Sequence, residues 1–135
     1  MGLASMETYL DLVKFLGLQK VKYIYSQNAQ KEDIFRFSIN NKMIEVIVHE
    51  YYLSLEIKDF LTNQEIMHRD YFLDKMNSHN TNWLFATSEW GIGAKRVFGL
   101  IGCTIEEIFL AFSDEYEGLN RYATRLKNEF LPIIA

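Results

Sequence analysis

The sequence predicts an α+β fold, an antiparallel sheet of about five strands with helices packed on it, in the order α-β-β-β(-β)-α-β-β-α. Three observations predict it. The hydrophobic period changes from helical to two near residue 20. Asn40-Asn41, a pair tolerant of positive φ, then divides two alternating runs that match apolar with apolar when folded back on each other. Finally, Thr62 with Glu65 and Thr104 with Glu107 form capping boxes at the start of two amphipathic stretches, between which lie two more strand-like runs.

The elements follow in order. SMETYLDLVKFLGL reads as a helix with Ser5 as its cap, Glu7 in the first turn and Gly17 placed to end it. Met6, Leu10, Val13 and Gly17 lie along one stripe, with Tyr9, Leu12 and Leu16 along a second and Phe15 and Leu18 widening the apolar surface. A face that broad calls for more than one neighbour, a second subunit among the candidates. VKYIYSQ and DIFRFSI alternate as strands, and a two-residue turn at Asn40-Asn41 sets Ile39 opposite Lys42, Phe37 opposite Ile44 and Phe35 opposite Val46. In the next run the inward positions are even before His49-Glu50 and odd after it. A two-residue turn at His49-Glu50, pairing 48 with 51 and 46 with 53, explains that shift, and so does a β-bulge in one long strand.

LTNQEIMHRDYFLDKMNSHN reads as a helix with an apolar face of Ile66, Phe72, Leu73 and Met76. Two strands are expected over 82–89 and 94–101, with glycines at the hairpin tip between them. The last helix begins at Cys103-Thr104, with a core stripe of Ile105, Ile108, Phe109, Phe112, Tyr116, Leu119, Ala123, Leu126 and Phe130. Its acids crowd the first half and its bases the second, which suits a solvated helix face and the helix dipole.

A chain of 135 residues with half its residues apolar fits one domain, 1–135, with a core that needs no staple. One cysteine forms no internal disulfide. No apolar run approaches the roughly 20 residues of a membrane helix, and the start lacks the basic and apolar regions of a secretory signal, so a cytoplasmic protein is expected. Net charge is −4 and the 14 Lys and Arg are scattered, which argues against nucleic acid and against an electrostatic membrane dock.

The stretch WLFATSEWGIGAKRVFGLIGC, residues 83–103, is the most motif-like in the chain. Gly91-Ile92-Gly93 lacks the third glycine of a dinucleotide fingerprint, and the segment after it is strand-like, so no helix N-terminus would face a phosphate. Cys103 precedes a helix, but nothing pairs it with a base, and a lone cysteine in apolar sequence is expected to be inert core packing. His49, His68 and His79 fall in three elements with no metal-ligand spacing. No catalytic, metal or cofactor-binding residue is therefore expected. The aromatics carry more: Tyr51 and Tyr52 are adjacent, so one of them must leave the core face, and Trp90 lies beside a turn. Trp90, Tyr52, Tyr51 and Trp83 are the candidate partner-binding residues.

FLDKMNSHNTNWLFATSEWGIGAKRVFGLIGCTIEEIFLAFSDEYEGLNRYATRL resembles the C-terminal half of YbjN-like domains, which share the fold of type III secretion chaperones. Leu73, Met76 and Asn77 match the Leu-x-x-hydrophobic-Asn end of a helix, Trp83 to Arg96 the hairpin, and Ile105 to Leu126 the final amphipathic helix. The match rests on hydrophobic spacing and one asparagine over about half the chain, mainly residues 62–129. The hairpin tip departs from the pattern, being aromatic and Gly-rich (EWGIG). The resemblance implies a small acidic protein, often dimeric, that holds other proteins or regulates them, and it brings no catalytic residues.

The expected function is thus a non-enzymatic protein-interaction domain, chaperone-like or regulatory, acting as a homodimer on a protein partner. The alternative is a small-ligand binder with an aromatic-lined cavity between sheet and helices.

Overall fold

The computed structural model describes residues 3–79 and 82–134, with side chains from 6 to 79 and from 82 to 129. The chain runs through α1 (Leu3–Leu18), β1 (Tyr23–Gln27), β2 (Asp33–Ile39), β3 (Lys42–Val48), β4 (Tyr52–Thr62), α2 (Arg69–His79), β5 (Trp83–Ser88), β6 (Gly91–Gly99) and α3 (Ile105–Ile134). This is the predicted α+β order, with the bracketed strand present. All strands join one antiparallel sheet in the order β1-β2-β3-β4-β6-β5, so β6 inserts between β4 and the edge strand β5.

Local chemistry explains most of the boundaries. Asn40 and Asn41 have φ of 52° and 66°, and the register they set (Ile39 with Lys42, Phe37 with Ile44, Phe35 with Val46) is the expected one. Residue 49 pairs with 52 across a tip formed by Glu50 and Tyr51, with the His49 N–H donating to the Tyr52 carbonyl at 2.9 Å. The turn is therefore one residue later than His49-Glu50, and Val48 faces Leu53 rather than Tyr51. The shift of inward parity survives, because moving a hairpin tip by one residue moves each partner by two. The bulge lies further along β4: the register with β6 shifts between Ile57 and Leu61, Asp59 takes φ of 52°, and Phe60 turns into the core.

Three helix ends differ from expectation. Ser5 falls inside α1 rather than capping it. α1 runs past Gly17, and Lys20, at φ 56°, holds the left-handed position instead. The Val21 N–H bonds the Leu16 carbonyl at 3.0 Å and the Lys20 N–H bonds the Gly17 carbonyl at 3.1 Å, the paired bonds of a Schellman end. Thr62 and Glu65 do meet, the Thr62 hydroxyl donating to the Glu65 carboxylate at 3.0 Å, but they close a turn after β4. α2 starts only at Arg69, behind His68, whose carbonyl accepts from the Tyr71 and Phe72 N–H groups. Thr62 is held extended by its pairing with Gly91, a non-local constraint that outweighs the local helix signal.

The second hairpin turns at Glu89 and Trp90, with Ser88 opposite Gly91. The glycines are not its tip. Gly91 begins β6, where a Cβ would stand 1.8 Å from the Leu61 carbonyl oxygen, so close approach of β4 demands glycine there. The Thr104–Glu107 box holds as expected, with the Glu107 N–H donating to the Thr104 hydroxyl at 3.1 Å.

α1 and α3 pack side by side on one face of the sheet. Leu12, Leu16, Phe35, Phe37, Val46, Leu55, Ile57, Trp83, Ile108, Phe112, Leu119 and Leu126 make the core between the layers. Phe15 stacks on Phe109 at 4.8 Å, joining the two helices. The predicted α3 stripe is buried or half-buried through Leu126, and the Phe130 side chain lies outside the described residues. The opposite sheet face carries a charged ladder in which Arg36 pairs with Glu45 at 2.8 Å and Lys58 with Glu56 at 2.6 Å. α2 covers the β5 edge. Asn77 donates from its amide to the Phe85 carbonyl at 3.2 Å and accepts from the Phe85 N–H at 3.0 Å, standing in for a neighbouring strand. Among the described residues no helix is long and apolar enough to cross a membrane.

Candidate functional site

The four aromatic candidates do not form one surface. Trp90 is 65% exposed at the β5–β6 tip, and Tyr51 is 63% exposed at the β3–β4 tip. Tyr52, also exposed, stacks on the His49 ring at 4.2 Å. These tips lie at opposite ends of β4, since Tyr52 pairs with Gly99 while Thr62 pairs with Gly91 beside Trp90. At about 3.3 Å per residue that strand separates them by roughly 30 Å. Trp83 is corrected outright. It is 1% exposed, packs against Phe112 at 5.6 Å, and donates its indole N–H to the Glu115 carboxylate at 2.8 Å. Arg96 joins the same carboxylate at 2.9 Å, so this polar group is a satisfied part of the core.

Cys103 is exposed in the loop before α3, not buried as expected. His68 sits at the start of α2, and His79 stacks on Tyr122 at 3.7 Å. Among the described residues no group of three or more His, Cys, Asp or Glu is placed to hold a metal ion.

The sheet brings together one constellation that sequence reasoning missed. On the face opposite the helices, His49 Nδ1 lies 2.5 Å from the Glu32 carboxylate and its Nε2 lies 3.2 Å from the Ser54 hydroxyl. Hydrogen bonds from Asn28, opposed by burial, and then His49 hold the Glu32 carboxyl below the usual range. Carboxylate, imidazole and hydroxyl stand in the order of a serine-nucleophile relay. Ser54, however, is 2% exposed in a strand paired on both sides, facing Ile47 and Val97. Its neighbours' backbone N–H groups belong to the two ladders, leaving none convergent on an oxyanion. The relay satisfies a buried hydroxyl and fastens the β3–β4 hairpin to the loop between β1 and β2.

An apolar groove opens where α1 crosses the β1 edge. It is lined by Met6, Tyr9, Leu10, Tyr25 and Asp33, and encloses about 280 Å³. The burial of α1 explains it. Leu12 and Leu16 of the second predicted stripe are fully buried, while Met6 and Leu10 of the first stay exposed. Tyr9 meets Tyr25 edge-on at 5.5 Å and Phe35 at 5.8 Å, which builds an aromatic floor. Asp33, 2% exposed, accepts hydrogen bonds on Oδ1 from the Tyr25 hydroxyl and from Gln27 at 3.2 Å. Its hydrogen bond, with burial adding to it, pushes the Tyr25 phenol up to about 12. The outer side of β1 is paired with no strand among the described residues, and Ile24 beside it is exposed. The pattern that marks this site in the sequence is the over-wide apolar surface of the first helix. No protein-family model matches the chain, and a search of curated proteins finds none similar to it.

Proposed function

We propose that the chain is a non-enzymatic protein-interaction domain, chaperone-like or regulatory in kind, that holds an extended segment of a partner along the β1 edge and the α1 flank. The observation that carries this reading is the β1 edge, unpaired among the described residues, lying beside the Met6–Leu10 groove. Strand addition supplies main-chain hydrogen bonds, and a groove alongside takes alternate side chains. The flank joins exposed apolar side chains, Met6 and Leu10, to a strand edge open to pairing, which the exposed Trp90 and Tyr51 at the hairpin tips do not. The role implied by a YbjN-like resemblance falls within this reading.

A photo-crosslinking residue at Ile24 tests it. Adducts with another protein are expected from that position in cells, and not from Asn120 on the exposed side of α3. Leu10→Asp should remove them while leaving the thermal melt within a few degrees, because Leu10 is largely exposed. Adducts of twice the chain mass alone would replace the partner by a second copy of this chain. Equal labelling from both positions would reject the flank as a docking surface.

A further inference from the structure

We propose that the α1–β1 groove selects a cationic side chain, a lysine or arginine carried by the extended segment that adds to β1, through the carboxylate of Asp33. This rests on the docking reading above and names the chemistry of the partner. Asp33 is almost fully buried, yet no Lys, Arg or His nitrogen among the described residues lies within 4 Å of its carboxylate. Both of its side-chain hydrogen bonds come from neutral donors and fall on Oδ1, so Oδ2 keeps its acceptor capacity. Among the described residues no side-chain oxygen is both buried and unpartnered, so Oδ2 opens to the groove, where a cation arriving from outside meets a carboxylate shielded from most of the surrounding water.

The surroundings suit such a guest. Tyr9 and Tyr25 present rings beside the carboxylate, and aromatic faces attract ammonium and guanidinium groups. Met6 and Leu10 offer apolar contact for the methylene stem. A volume of about 280 Å³, at the small end of ligand sites, fits one long side chain better than a larger molecule. Register supplies the rest. Tyr25 points to the helix-covered face of the sheet, packing on Phe35, so alternate residues of a strand added to β1 point to that same side.

The test uses two blocked peptides, acetyl-Val-Thr-Lys-Val-Thr-amide and the same peptide with norleucine for lysine, titrated into ¹⁵N-labelled full chain and followed by amide chemical shifts. The lysine peptide is expected to bind about tenfold more tightly, with shifts concentrated at residues 6–10 and 23–27. In D33N that ratio should fall to about one, with the norleucine peptide unchanged. Equal affinities for the two peptides in the wild-type chain would overturn cation selection and leave the apolar docking surface standing. No binding of either would overturn it too, and crosslinking from Ile24 then decides separately whether the flank docks a protein at all. Should D33N fail to fold, the affinity ratio of the two peptides in the wild-type chain decides by itself.

Discussion

Glu65 ties three parts of the chain together at a single carboxylate. One oxygen accepts from Lys42 at 3.3 Å and from Thr62, and the other accepts from Lys127 at 3.0 Å. Burial alone would push this carboxyl up. The bonds from Lys127 and Thr62 and the charge of Lys42 overcome it and hold the group at about 2. A carboxyl depressed in the fold contributes stability that is present above its unfolded value near 4.5 and lost as pH falls toward 2. Melting temperature should therefore fall across that window, and Glu65→Gln should flatten part of the fall while lowering stability at pH 7. An unchanged acid limb in the variant would mean that other carboxylates set it. This site was half legible: Thr62 and Glu65 are neighbours in sequence, whereas Lys42 and Lys127 reach them only once β3 and α3 are in place. The Glu32–His49–Ser54 relay was less legible still. It depends on His49 reaching Glu32 just beyond the Asp33–Val48 pair and on residue 49 bonding 52, and the turn at Glu50-Tyr51 that sets this carries no turn-specific residue pair.

At the scale of elements, the Asn40-Asn41 hairpin was readable because its geometry is encoded by the two residues that adopt it. Ends fixed by distant partners were not. Lys20 closes α1 in the left-handed region, a conformation that costs an L-residue about 1 kcal/mol and glycine almost nothing. Lys20→Gly should accordingly raise stability by about 1 kcal/mol in urea unfolding, with an unchanged m-value. Gly91 is the opposite case. Gly91→Ala drives a methyl into the Leu61 carbonyl and should destabilise by about 1–3 kcal/mol or more, the cost of overpacking. A melt as high as that of the wild type would show that β4 and β6 separate without cost. The Thr62–Glu65 pair shows how a correct contact can mislead about an element, because the same two side chains close a turn here and a helix elsewhere.

The whole molecule is a two-sided sheet with unequal edges. The fold class followed from periodicity, since a period of two is imposed by the pleat on every strand, but the count of about five became six because periodicity alone does not separate a turn from a bulge after β3. Which aromatics would gather was not readable, because hairpin tips at the two ends of β4 look alike in sequence and part company only in space. The inequality of the edges is also a tertiary property. Asn77 caps Phe85 on the β5 edge, while the outer side of β1 pairs with no strand among the described residues, so Asn77→Ala should leave the two backbone groups of Phe85 without their partner and cost about 1–3 kcal/mol by chemical denaturation.

That inequality also limits the valence of the molecule. A sheet with two free edges is a monomer in the polymer chemist's sense, able to extend in both directions into a fibre. Among the described residues the β5 edge is covered by α2 and the β1 edge is open, so any two copies that joined through β1 would form a closed pair with no end left to grow. Covering one edge with α2 thus sets the number of neighbours the sheet can take at one, a limit on stoichiometry rather than on affinity.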